Sequence, residues 1–223
     1  MDQFRGLVEQ YIASLPADAA TATKAPKFDT SLHIGNGSLE KGFKAPMQNP
    51  QTYVAIIGNG KLPYTNKNRA LASVAGQILS NRLLNTVRED MGAVYSIWAQ
   101  GSMERVALDN NVVMQSVFPM KPEMRQQVFD FIAQEFKKME SDVTAEELGK
   151  VVEFAVKNVN EALEQNGAWL NAMAGEALNS VDTWHGSEEM YKSITTQDVC
   201  DFMKELNKQG NYRVLYLEAE EAE

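Results

Sequence analysis

Hydrolytic chemistry leaves signatures in residue type and spacing, and most of them are missing here. The chain has two histidines, His33 and His185, and one cysteine, Cys200. A protein-bound zinc takes three or four His, Cys, Asp or Glu ligands at close spacing, and neither histidine has a second one within such an interval. His185 and Glu188, in WHGSEEM, read as surface residues of a loop rather than as ligands sharing a cation. Serine and cysteine nucleophiles need a histidine base oriented by a third group, and no G-x-S-x-G elbow is present. Gly58-Asn59-Gly60 lacks the third glycine and the G-K-[ST] of a phosphate loop, so it reads as a turn. The acidic pairs Glu146/Glu147 and Glu188/Glu189 stand at helix starts, where the macrodipole favours them without any catalytic role.

One stretch stands apart, RLLNTVREDMGAVYSIWAQG at residues 82 to 101, with Arg88 and Tyr95 on either side of Gly92. Taken singly, Arg88 is a cation favoured by the dipole in the last turn of a helix, and Tyr95 is a strand tyrosine with a satisfied hydroxyl. Taken together, a guanidinium and a phenol are the donors that can hold a carbonyl oxygen as it becomes negative. The stretch resembles a signature of the pitrilysin and insulysin (inverzincin) family of zinc metallopeptidases. There the C-terminal half carries a helix ending in Leu-Arg-Glu, a short glycine turn and a Tyr-containing strand. Val87 stands where that family often has Leu, a change that keeps the apolar contact.

The resemblance extends over most of residues 43 to 217 in element order. It implies that this chain is the C-terminal, non-catalytic part of a metalloendopeptidase, with Arg88 and Tyr95 as its catalytic contacts to the scissile carbonyl. The H-x-x-E-H zinc motif of the family lies in an N-terminal domain and is absent from this sequence. The resemblance therefore implies no cofactor in this chain and zinc in the N-terminal half of the parent. The implied partners are that half of the same polypeptide and unfolded peptide substrates. Two alternatives stay open: an inactive structural or interaction protein of the same fold, as in the core subunits of respiratory complexes, and a partner subunit that lends Arg and Tyr to a separate zinc subunit.

The elements that must position these residues are legible from periodicity. Residues 4 to 15 carry Phe4, Leu7, Val8, Tyr11, Ile12 and Leu15 at helical spacing before Pro16, and the spacing predicts a short helix. Residues 16 to 42 show turn chemistry without periodicity and read as a linker. This predicts a last helix of a preceding domain at 1–15, a linker at 16–42 and the main domain at 43–223. TYVAIIG predicts a strand leaving through GNG. Residues 67 to 90 predict a long helix on Leu71, Val74, Ala75, Ile78, Leu79, Leu83 and Val87, stopped by Gly92. Residues 93–106 and 107–118 predict an antiparallel pair closed by Pro119. Pro122 opens a helix with Val128, Ile132 and Phe136 on one face. Thr144 with Glu147 and Thr195 with Asp198 predict capped helices, and NYRVLYL predicts a last strand. The expected fold class is α+β, a two-layer domain with a mostly antiparallel sheet covered by helices on one face.

Composition narrows the partners. The 223 residues are 44% hydrophobic and 23% charged, which is globular usage. A formal net charge of −9 repels phosphate backbones and anionic lipid surfaces, so nucleic acid is not an expected partner. No apolar run approaches the roughly 18 residues of a membrane span, and MDQFRGLVEQ lacks the basic-then-apolar order of a signal peptide.

Overall fold

The computed structural model describes residues 2–15, 35–104, 110–179 and 182–220. The chain divides into two compact units, Met1–Leu32 and His33–Glu223. Within the first, helix α1 (Asp2–Tyr11) forms from the expected amphipathic run but stops earlier than its apolar spacing suggests. Ile12 and Ala13 both donate to the Val8 carbonyl, which ends the helix in a turn. The apolar side chains Phe4, Leu7 and Tyr11 of the helix, and Ile12 and Leu15 after it, are exposed.

The second unit is built on one sheet. Its strands are β1 (Leu39–Ala45), β2 (Thr52–Gly60), β3 (Gln100–Met103), β4 (Val112–Met120) and β5 (Tyr212–Ala219), in the order β1-β5-β2-β4-β3. Only the β1–β5 pair is parallel. The helices are α2 (Asn66–Leu83), α3 (Arg125–Lys138), α4 (Ala145–Leu163), α5 (Asn166–Asn179), α6 (Ser187–Ser193) and α7 (Thr196–Asn207). The fold is thus the α+β domain expected, a mostly antiparallel sheet with helices on one face.

The alternation of β2 shows how the layers meet. Val54 and Ile56 are buried while Tyr53 is half exposed, as expected of a strand whose one face packs on helices. Its register with β5 carries the pattern across the sheet, Ile56 opposite Val214 and Val54 opposite Tyr216. From the helix side come Leu71, Val74, Ile78 and Leu79 of α2, Val128, Ile132 and Phe136 of α3, and Val199, Phe202 and Met203 of α7, all buried in one cluster. Both predicted capping boxes are present: Thr144 and Glu147 open α4, and Thr195 and Asp198 open α7. Among the described residues no helix is long and apolar enough to cross a membrane.

Several expectations need correction. Residues 39–42, assigned to the linker by sequence, are the first half of β1. Their strand is held by its parallel ladder to β5, a long-range pairing that local periodicity does not report. Gly58-Asn59-Gly60 is not a turn but the end of β2. A Cβ at Gly58 would come 2.6 Å from the Phe136 ring, so the glycine serves close packing. Pro119 lies inside β4 rather than closing it. Of the strand expected at 93–106, the described residues form only Gln100–Met103. The loop around WHGSEEM includes a short helix, α6, and His185 Nδ1 meets Asp182 Oδ2 at 2.6 Å while Glu188 pairs with Lys192. His33 lies outside the described residues, as does most of the predicted linker.

Candidate functional site

The helix expected to run evenly to residue 90 changes its winding. α2 is α-helical to Leu83, and Leu84–Asp90 continues as a π-helix. Such wide turns are uncommon and are found frequently at functional sites. Val87 keeps the helix anchored, fully buried, while Arg88 is carried onto the exposed side. The end is a glycine-terminated cap. Gly92 has φ +60, its N–H donates to Arg88 O at 3.1 Å, and Ala93 N–H donates to Val87 O at 3.0 Å. Each bond spans one residue more than in the usual Schellman cap, as the wider π turn requires.

After the cap the chain runs without a ladder, through a bend at Tyr95, until Gln100. Ala93 O accepts from Lys121 N at 3.0 Å and Trp98 O accepts from Ser116 Oγ at 2.6 Å, so both ends of the segment are tied to β4 and its continuation. Val94, Ile97 and Ala99 turn into the core. Tyr95, between them, is turned out and is 89% exposed. It does not start a strand, as its place in the sequence suggests. The position arises because the neighbours are claimed by the core.

The two sequence-predicted site residues therefore stand before and after one fixed turn in the sequence, and both reach solvent. Arg88 retains 45% side-chain exposure, with Nη1 3.6 Å from Glu89 Oε1. An exposed pair at that separation holds its partners weakly. Tyr95 also lines a groove of ≈ 560 Å³ with Pro50, Pro119, Met120 and Pro122, a groove whose lining does not include Arg88.

The junction above the turn is held by charge. Arg82, 13% exposed in its side chain, meets Glu135 at 3.1 Å, Asp142 at 2.9 Å and Glu147 at 2.7 Å. Burial works against the guanidinium cation, but the bonds it donates to Glu147 and Asp142 and their charges outweigh it and hold its pKa above the ordinary arginine value. Burial likewise works against the Glu147 carboxylate. Its bonds from Arg82 and from the Thr144 backbone and hydroxyl outweigh that and lower its pKa. Sequence reasoning missed this cluster, because its members come from α2, α3, the turn after it and α4. Only the Thr144–Glu147 spacing gave a local signal.

Among the described residues no three His, Cys, Asp or Glu side chains gather to hold a metal ion. These residues do not fit the zinc that the resemblance implies for its family. The fold and site thus define a two-layer α+β domain that presents exposed donors on a braced turn. Residues 2–153 match the family described as the peptidase M16 inactive domain, and the chain belongs to that family. No curated protein matches it significantly by sequence. Among solved structures, the periplasmic protease PqqL from Escherichia coli is similar, with TM-score 0.77 and 17% identity over 98% of this chain and 24% of that one. The ferredoxin protease FusC, solved with Arabidopsis ferredoxin, gives TM-score 0.76 and 17% identity over 99% of this chain and 24% of its own. A chain of complex III from Candida albicans gives TM-score 0.62 and 14% identity, over 82% and 45%. Identities this low speak to fold alone. The chain spans about a quarter of the length of PqqL and of FusC.

Proposed function

We propose that this domain is the non-catalytic half-site of a pitrilysin-type zinc metalloendopeptidase, contributing Arg88 and Tyr95 to the carbonyl oxygen of the peptide bond being cut. The observation that carries the reading is Tyr95, a large aromatic 89% exposed beside a turn braced by backbone bonds on both sides. Among the described residues its hydroxyl has no bonding partner. An aromatic held out of the core in this way suits contact with something outside the domain. The phenol and the guanidinium can each donate to an oxygen that gains negative charge in a tetrahedral intermediate. Zinc and the residues that activate water would belong to the N-terminal half of the parent. Unfolded peptides would be the substrates, and this chain alone would cleave none.

The test is steady-state kinetics on the full-length parent, with melting temperature as the control for folding. Tyr95→Phe should melt as the parent does and lose on the order of 10²–10³ in kcat. Arg88→Ala should raise KM as well as lower kcat, because its cation attracts the substrate carbonyl before and during reaction. Unchanged kcat/KM in both variants would return Arg88 to a helix-end cation and Tyr95 to a surface tyrosine. That result favours the rival reading, an inactive scaffold of the same fold, for which the likeness to a complex III chain is the motive.

A further inference from the structure

A second cleft has neither Arg88 nor Tyr95 in its lining. It opens between the first turns of α2, the end of β3, α5 and α6. Its ≈ 640 Å³ falls within the range of about 300–1,000 Å³ typical of small-ligand pockets. The charged residues of its lining are Arg69 and Glu104, of opposite sign. Among the described residues neither has an ion-pair partner, and they do not pair with each other although they border the same space. Arg69 is also at odds with its own helix. It stands one turn into α2, near the positive end of the macrodipole, and the first turn carries no acidic residue. The dipole there opposes a cation, so helix end and guanidinium alike are completed by an anion. Burial pushes the Tyr191 phenol pKa up, while the Arg69 charge and a bond with Ser73 pull it down, which sets the guanidinium near that hydroxyl. Part of the wall is apolar. Val159, Ala168, Ala172 and Met190 are each half-buried, so each keeps surface that an occupant can cover.

We propose that this cleft binds a small zwitterion with an apolar side chain, the chemistry of a free α-amino acid such as leucine. The carboxylate meets Arg69, the ammonium meets Glu104, and the side chain covers Val159, Ala168, Ala172 and Met190. A plain anion would satisfy Arg69 but face the like charge of Glu104, and a plain cation would reverse the fault. A zwitterion gives each charge its opposite through charge-assisted bonds, which are stronger than neutral ones. Its apolar side chain removes its own surface and that of the wall from water. The site is independent of the role given to Tyr95.

The experiment titrates isotope-labelled chain and follows its backbone amide shifts with leucine and three probes that each lack one part of it. Leucinamide lacks the carboxylate, isocaproate lacks the ammonium, and glycine lacks the side chain. Leucine should shift the amides of 69–73, 102–104 and 168–172 and saturate. Each of the other three should bind roughly tenfold more weakly, for want of one charged bond or of the apolar contact. Arg69→Gln should weaken leucine and isocaproate but not leucinamide. Glu104→Gln should weaken leucine and leucinamide but not isocaproate. Neither substitution breaks a described ion pair, so both variants should melt as the unsubstituted chain does. If Arg69→Gln fails to fold, the probe series and Glu104→Gln decide. A leucine titration that does not saturate, shifts centred elsewhere, or isocaproate binding as tightly as leucine overturns the proposal. So does a leucine dipeptide that binds the same amides more tightly than leucine, because the cleft would then serve a peptide and not a free amino acid.

Discussion

At the scale of single residues, two positions separate stability from presentation. Gly92 sits at φ +60, and a Cβ there would meet nothing within 4 Å. Gly92→Ala therefore costs only the left-handed backbone, roughly 1–2 kcal/mol, readable as a lower urea midpoint at unchanged slope. Arg82 is different, because its removal strands Glu135, whose side chain is 6% exposed. Arg82→Ala should cost about 3 kcal/mol, the low end for breaking a buried pair, since Glu135 keeps Lys138 at 2.8 Å. The pH dependence has a definite sign. Glu147 has a folded pKa below its ordinary 4.5, so it contributes stability above that value and loses it as pH falls through the folded pKa. Unfolding free energy of Arg82→Ala should consequently decline less steeply than that of the parent chain below about pH 4.5. A parallel decline would remove Arg82 as the group that holds the carboxylate charged.

At the scale of elements, the decisive contact is the crossing of α2 on β3. A Cβ at Gly76 would collide with the Gly101 backbone nitrogen, and one at Gly101 would collide with the Ala72 carbonyl. Both obstacles are main chain, which cannot swing aside as a side chain can. Gly76→Ala should thus reach the upper end of the overpacking range, about 3 kcal/mol. Offsetting this is the ~1 kcal/mol that alanine gains over glycine inside a helix. The expected outcome is a net loss of about 2 kcal/mol, checked by the same urea titration that serves Gly92→Ala. The closeness of this crossing fixes the helix that carries Arg88 against the strand that follows Tyr95. Capping, by contrast, was legible in advance: Thr144–Glu147 and Thr195–Asp198 are local three-residue spacings, and a local interaction is written in local sequence.

At the scale of the whole molecule, the proposed role is to present donors rather than to supply a metal centre. Two histidines and one cysteine, with Cys200 buried in α7, leave few ligands for a tight metal site. Elemental analysis of the purified chain is expected to give well under one zinc per molecule. One tightly held zinc per chain, surviving dialysis against chelator, would contradict this and require a ligand set that the described residues do not form. Arg88 and Tyr95 were offered by the family resemblance of residues 82–101. By local pattern the sequence itself determined β2, α2, α3, α4, α7, β5, both capping boxes and the helical face of α2, all of which rest on interactions between residues a few positions apart, where periodicity and cap chemistry are visible. Only the tertiary structure decided the rest. It placed β1 by its pairing with residues more than 150 positions away, and it turned Gly58 from a turn residue into space for Phe136. It also gathered Arg82 with three distant carboxylates and turned Tyr95 outward while its neighbours filled the core. Those outcomes depend on which surfaces meet across the fold, and a linear pattern carries no distance between them.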